Sequence, residues 1–313
     1  MIMPKNDYFP PEGLCPPDTP TLAQLQAALE EGTVLESPVL RCDVGHNLHL
    51  RLGGVSAVLP REEVTAPWIS GANREISILS RVGKQICFTV KQLLTDEKGS
   101  TKAILSRKCV QEAAMDWYLD HLQPGDLLTC RVTRAESFGV FADIGRGVIA
   151  MLPLEYLSVS RLPHAGVRVR EGQTILAAVA SMDRESRRVT LTQKELLGTW
   201  LENTSRFSPG ETVTGVVRSV KEYGSFIELA PNLSGLTDTK EGLSPGDRVS
   251  VYIKSIQPQR MKIKLHIIAR LGRETEPAPL RYQITDGHLD RWVYSPPNYE
   301  KEPVETVFTA PCP

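Results

Sequence analysis

The sequence lacks the signals of several large protein classes. Its longest apolar stretch, residues 175–182, is far shorter than the ~20 residues that cross a bilayer. The opening segment MIMPKNDYFPPEGL has no apolar core of the kind that a signal peptide needs. Six cysteines occur, but no two form a CxxC pair, so neither a zinc site nor a disulfide framework is indicated. We therefore expect a cytoplasmic protein with reduced thiols, no metal site and no membrane contact.

Motifs of common enzymes are also missing. The sequence has no GxxxxGK[ST], GxSxG, HExxH or DxD pattern, which in known enzymes bring together phosphate-binding loops, nucleophiles or metal ligands. We therefore predict no catalytic site and no cofactor. A binding function remains as the expectation.

Length, turn residues and charge distribution favour several small domains. A chain of 313 residues is long for one hydrophobic core, and 23 prolines with 23 glycines favour short strands joined by turns. The net charge of −1 is the sum of mildly basic segments and acidic connectors. Residues 21–110, 124–199 and 209–270 carry about +2, +2 and +3. Such segments suit a nucleic-acid binder of modest affinity, although ordinary solvated surface would give the same charges.

The strongest pattern is internal repetition. Pro124-Gly125-Asp126 precedes the alternating run LLTCRVTRA, and Pro209-Gly210-Glu211 precedes TVTGVVRSV. Each run reads as a strand opened by a turn. An aromatic-glycine-x-phenylalanine element follows each, beginning at Phe138 and at Tyr223, 13 residues after the glycine of the turn.

Each repeat continues with a second turn and strand and closes with a basic-apolar strand, RRVTLTQK or MKIKLHII. Five short strands per repeat predict a small Greek-key barrel of the OB type. A weaker copy precedes them, because Gly54–Pro60 parallels Gly147–Pro153. In that copy His46 and His49 occupy the aromatic positions.

The predicted fold is therefore all-β, with three tandem five-stranded barrels joined by short helical linkers. Helices are expected over residues 21–31, 110–122 and 194–203. The predicted domains are a flexible N-terminal tail at 1–20, a degenerate barrel at 21–110, barrels at 111–199 and 200–270, and a Pro-rich tail at 271–313. Aromatic residues of this last tail are expected to pack onto the preceding barrel, with RNA stacking as the alternative: Tyr282, Trp292, Tyr294 and Tyr299.

The F-G-x-F element, the apolar strand after it and the closing strand resemble the S1 RNA-binding domain. Tandem copies over residues 30–270 resemble the bacterial ribosomal protein S1 family. The resemblance implies a monomer that binds single-stranded RNA, with mRNA at the small ribosomal subunit as the expected setting. The alternative is an S1-domain regulator or interaction protein that is not a stable part of the ribosome.

The second repeat offers most of the predicted RNA-binding residues. Phe138 and Phe141 would stack on bases, and Gly139 would let the strand twist so that both rings reach one surface. The resemblance implies a further contribution from Asp183 with Arg187 or Arg188, whereas the family's histidine position falls on Pro153. Basic residues of the long third-to-fourth connection are expected to follow the phosphate backbone, with solvated surface as the alternative: Arg161, His164 and Arg168.

The third repeat keeps Tyr223 and Phe226, but the family's histidine and aspartate positions fall on Asp238 and Gln257. It should bind less well or with another preference. Its predicted basic contacts are Lys254, Lys262 and Lys264. The first repeat, with its two histidines, is expected to be structural or to dock on protein.

Overall fold

Strands dominate the protein, and helices serve mainly as connectors. The structure, a computed structural model, describes residues 8–68, 72–238 and 242–308, except for the side chains of 72–74. The outer ends of both predicted tails, 1–7 and 309–313, thus lie outside the described residues. The predicted all-β fold of tandem OB-type units is confirmed, with two closed five-stranded barrels and a half-barrel sheet. None of the helices within the described ranges is long and apolar enough to cross a bilayer.

The first repeat forms an open six-stranded sheet, called here the N-terminal sheet. It follows helix α1 (Leu22–Glu31), which a capping box between Thr21 and Gln24 begins and Gly32 ends at a φ of 68°. Its strands are β1 (Leu35–Pro38), β2 (Arg41–Cys42), β3 (Leu48–Leu52), β4 (Val55–Leu59), β5 (Gln85–Thr95) and β6 (Thr101–Ser106), with helix α2 (Ala72–Leu79) before β5. The strand order is β1-β5-β6-β4-β3-β2, and β4 pairs with β6 in parallel. The first repeat thus keeps the OB connectivity without the closed barrel that the sequence predicts.

The second repeat closes into a barrel, called barrel 2, after helix α3 (Lys108–His121). Its strands are β7 (Leu127–Ala135), β8 (Gly139–Asp143), β9 (Ile149–Pro153), β10 (Thr174–Asp183) and β11 (Arg188–Thr192), with the one-turn helix α4 (Leu154–Leu157) after β9. Alternate residues of β7, such as Leu128, Cys130 and Val132, point into the core.

The third repeat forms barrel 3 in the same way. A 3₁₀ turn over Lys194–Leu197 and the short helix α5 (Trp200–Thr204) lead into it. Its strands are β12 (Thr212–Lys221), β13 (Gly224–Ala230), β14 (Leu233–Thr237), β15 (Asp247–Gln257) and β16 (Lys262–Arg273). In both barrels the third and fifth strands pair in parallel, which closes the sheet.

The C-terminal segment, residues 274–308, folds back over both barrels. It contains a two-stranded ribbon of β17 (Arg291–Val293) and β18 (Glu305–Val307). Trp292 and Tyr294 are buried in the core of barrel 3. The Tyr282 hydroxyl accepts hydrogen bonds from the Leu176 amide of barrel 2 and from the Gln193 side chain, both at 3.0 Å. These aromatic residues therefore pack on the barrels.

Buried charges also join barrel 2 to barrel 3. Arg168, in the long connection of barrel 2, is 1% exposed and pairs with Glu228 on β13. The same carboxylate accepts from Arg218, which also pairs with Glu274 at the start of the C-terminal segment. Because buried charges need partners, this network fixes the two barrels against each other.

A second buried ion pair links the N-terminal sheet with barrel 2. Glu12, within the segment predicted to be a flexible tail, is 6% exposed. Its carboxylate accepts from Arg107 Nε at 2.6 Å and Nη2 at 2.8 Å. Its backbone amide donates to buried Asp143 of β8 at 2.8 Å. Residues around Glu12 therefore act as a connector between two domains.

Candidate nucleic-acid interface

Barrel 2 presents an aromatic pair on its outer surface. Phe138, the residue directly before β8, is 53% exposed, and Phe141 lies half-buried on β8. Their ring centroids are 6.0 Å apart and the ring planes meet at 84°. The edge-to-face arrangement supports the Phe138 ring and leaves much of its surface open to solvent.

Gly139 explains why the chain can bring both rings to one surface. A Cβ atom at this position would lie 2.6 Å from the Leu152 carbonyl oxygen on β9, so only glycine fits. The Gly139 carbonyl accepts a hydrogen bond from the Glu136 amide at 2.8 Å, which closes the turn before β8. The close approach of β8 to β9 thus sets the position of Phe138.

The pair continues as a row of outward-facing residues across the sheet. Strand register places Arg134 of β7, Phe141 of β8, Met151 of β9 and Thr190 of β11 side by side. Phe141, Met151 and Thr190 are partly exposed, and Arg134 is exposed. Sequence reasoning missed Arg134 and Met151, because the pairing register between strands decides which residues flank Phe141.

Barrel 3 repeats this arrangement at the same positions. Tyr223 is 70% exposed and Phe226 is half-buried, with ring centroids 6.3 Å apart and planes at 90°. Gly224, at a φ of 150°, lies against the Thr237 carbonyl of β14, where a Cβ would clash. Register places Phe226 beside Leu236 of β14, and Leu236 beside Lys264 of β16. Both barrels therefore offer the same type of platform.

The predicted RNA contacts Asp183, Arg187 and Arg188 lie in different environments. Asp183 is exposed, and hydrogen bonds from Ser186 lower the pKa of its carboxyl group while closing the β10–β11 turn. Arg187, at a φ of 53°, pairs with Asp116 of α3 and lies 5.0 Å over the Trp68 ring. Arg188 is exposed directly opposite Asp183. Of the two arginines, Arg188 is therefore placed to meet a ligand, whereas Arg187 joins barrel 2 to the N-terminal domain.

The long connection of barrel 2 holds the other predicted contacts. Arg161 and His164 are exposed, and their contact with a phosphate backbone stays a prediction. Arg168 is not available to RNA in this arrangement, because its guanidinium is buried against Glu228. Arg168 therefore lies outside the candidate interface.

The predicted lysines of barrel 3 lie on the β15–β16 hairpin. Lys254, Lys262 and Lys264 are all exposed, and Lys254 Nζ lies 3.8 Å from the exposed carboxylate of Asp238. Lys264 is the nearest of the three to the aromatic platform, because it neighbours Leu236.

The N-terminal sheet has no equivalent ring pair at these positions. His49 Nε2 lies 2.9 Å from Asp43 Oδ2, and His46 adopts a φ of 61° in the same turn. Hydrogen bonds from His49 and then Asn47 hold the pKa of Asp43 well below its usual range. Within the described ranges, no group of His, Cys, Asp or Glu side chains is arranged to hold a metal ion.

Comparison with known proteins finds a family match for barrel 2 and similar proteins for a larger part of the chain. Residues 121–194 match the S1 RNA binding domain. The chain is 31% identical over 208 residues to the small ribosomal subunit protein bS1 of Staphylococcus aureus strain COL, covering 61% of this chain and 52% of that protein. The bS1 proteins of Staphylococcus epidermidis and Staphylococcus haemolyticus match over the same shares at 31% and 30% identity. The chain thus spans about half the length of these curated relatives.

Among solved structures, a multidomain protein with nucleic acid binding domains from Streptococcus pneumoniae TIGR4 covers 78% of this chain and 75% of its own. It is 14% identical with a TM-score of 0.25, which is too low to support an inference.

Proposed function

We propose that the chain is a member of the bacterial ribosomal protein S1 family, binds single-stranded mRNA and acts in translation at the small ribosomal subunit. The observation that carries this proposal is the aromatic pair that recurs at the same register position in barrel 2 and barrel 3. The proposed role is binding rather than catalysis, by a monomer in the cytoplasm.

Stacking explains why the ligand should be single-stranded. The exposed rings of Phe138 and Tyr223 can each take the face of an unpaired base, a contact worth about 1–3 kcal/mol. In duplex RNA the bases are stacked on one another and their faces are hidden. Exposed Arg161 and Arg188 of barrel 2 and Lys264 of barrel 3 supply positive charge on the same two barrels, and this charge favours the phosphate backbone.

The proposed setting at the small subunit is supported by the relatives' name, small ribosomal subunit protein bS1. The N-terminal sheet is the proposed protein contact, because histidines replace both aromatic residues at its stacking positions. RNA binding and docking would then lie on different domains of the chain.

Titration of a labelled, unstructured RNA with the full chain tests the RNA-binding proposal. We expect binding that favours single strands over a duplex of the same length. The log-log salt slope should be about −2 to −4, corresponding to a few phosphates neutralised at ~0.7 counterions each. Equal affinity for duplex RNA would contradict binding on the barrel faces.

Co-sedimentation with ribosomes from a lysate, at low and high salt, tests the setting. Binding to the small subunit that survives high salt would support a stable ribosomal protein. RNA binding without co-sedimentation would instead favour an RNA-binding regulator that acts away from the ribosome.

A further inference from the structure

Barrel 3 carries a second exposed surface beside its aromatic platform, called here the β15 face. It consists of Thr212, Tyr252 and His266, which are direct cross-strand neighbours on β12, β15 and β16. All three are exposed, Tyr252 at 38%. Side chains at such positions have Cβ atoms about 5 Å apart, so the phenol and imidazole rings share one surface.

The corresponding surface of barrel 2 has a different chemistry and is covered. The same register positions hold Leu127, Ala178 and Thr192, and all three are buried. Leu289 and Phe308 of the C-terminal segment pack in one apolar cluster with Leu127 and Ala178. The chain therefore covers this face in barrel 2, whereas in barrel 3 the face is open and carries two aromatic rings.

The β15 face is continuous with the platform of Tyr223 and Phe226. From Phe226 the outward row crosses Leu236 to Lys264, two strand spacings or about 10 Å away. His266 follows Lys264 on the same side of β16, and Tyr252 faces His266. The path from Phe226 to Tyr252 is thus about 20 Å long. One OB-type barrel binds at least about 4 nucleotides, so a single strand can follow this path.

Positive charge flanks the β15 face. Lys254 lies two residues beyond Tyr252 on β15, and Lys262 and Lys264 precede His266 on β16; all three lysines are exposed. Lysine is depleted in protein–protein interfaces, where its burial is unfavourable. Aromatic rings between lysines instead match a single strand, whose bases stack while its phosphates meet the charges.

We propose that Tyr252 and His266 form an additional stacking site for unpaired bases, which extends the RNA path of barrel 3 beyond Tyr223 and Phe226. The ligand is single-stranded RNA that continues from the platform across Lys264. The inference rests on the proposed function, since it concerns the same ligand on a neighbouring surface.

The test uses the full chain in a Phe138→Ala background, which weakens the platform of barrel 2. Two labelled RNAs are compared, one of about 4 and one of about 12 nucleotides. Tyr252→Ala should weaken binding of the longer RNA by about fivefold or more, the lower limit for one lost stack. Its effect on the shorter RNA should be much smaller. Tyr252→Phe should retain affinity for both, because the ring remains.

Two controls separate the possible failures. Leu201→Ala, which removes an exposed side chain of α5, should leave both affinities unchanged, and Tyr223→Ala should weaken both RNAs. If Tyr223→Ala weakens binding while Tyr252→Ala does not, the additional site is refuted and the proposed function stands. If neither variant weakens binding, both are refuted. If Tyr252→Ala changes only self-association measured by light scattering, the β15 face is a protein contact and the inference is wrong.

Discussion

Replacing Phe138 with alanine separates RNA binding from stability in barrel 2. The ring is 53% exposed and packs edge-to-face with Phe141. Since only about half of the ring is buried, its loss should lower the free energy of unfolding by about 1 kcal/mol. The hydrogen bond that the Phe138 carbonyl accepts from Leu154 is a backbone contact, so alanine retains it.

The loss in RNA affinity should be larger than the loss in stability. One base stack contributes about 1–3 kcal/mol, so the Kd for a short single strand should rise by a factor of roughly 5 to 150. Fluorescence anisotropy with labelled RNA measures the Kd, and circular dichroism with thermal melting confirms the fold. Leu201→Ala is the matched control, because it also removes an exposed apolar side chain. A folded Phe138→Ala protein with the affinity of this control would refute the stacking mechanism.

Three further predictions concern the contacts that hold the domains together. Arg107→Met leaves the buried Glu12 carboxylate without its main partner and should cost about 3–5 kcal/mol in denaturant unfolding; a loss under about 1 kcal/mol would contradict this role. Tyr282→Phe removes the acceptor for the Leu176 amide and should cost about 1–3 kcal/mol with the Kd for RNA unchanged. Burial and the Glu12 carboxylate raise the pKa of Asp143 from 3.8 to about 7. Between about pH 4 and 7 the Asp143 carboxyl group is therefore protonated in the folded state and ionised in the unfolded chain. The stability that this proton contributes is therefore complete below about pH 4 and is lost as the pH rises through about 7. The unfolding free energy of Asp143→Asn should depend less steeply on pH than that of the unchanged protein, and equal slopes would argue against this pKa.

Local patterns predicted the strands and the aromatic platforms well. The turns ending at Asp126 and Glu211 are followed at once by β7 and β12, because turn residues and alternation act over a few neighbouring positions. The element beginning at Phe138 and its counterpart at Tyr223 form the expected pairs for the same reason. The sequence also contained a local signal that the prediction overlooked: Gly198, at a φ of 88°, divides the helix expected over 194–203, and a capping box at Thr199 starts the second part.

Contacts between distant residues could not be predicted in this way. Arg161 and Arg168 lie in the same basic stretch, yet the first is exposed and the second is buried against Glu228, a residue in another barrel. Nothing in the neighbouring sequence distinguishes the two arginines, because burial is decided by how the barrels pack. Glu12 is a similar case, since its partner Arg107 is 95 positions away.

The buried network around Glu228 and the C-terminal segment has a kinetic consequence for long RNAs. On the proposed stacking mechanism, a strand that reaches both platforms would bind the second one in an intramolecular step, at a high effective concentration instead of the bulk value. Since Arg168 and Tyr282 hold the barrels in one relative orientation, no linker ordering opposes that step. A strand released by one barrel would then rebind before the other barrel releases it, so the residence time should rise steeply once an RNA spans both platforms.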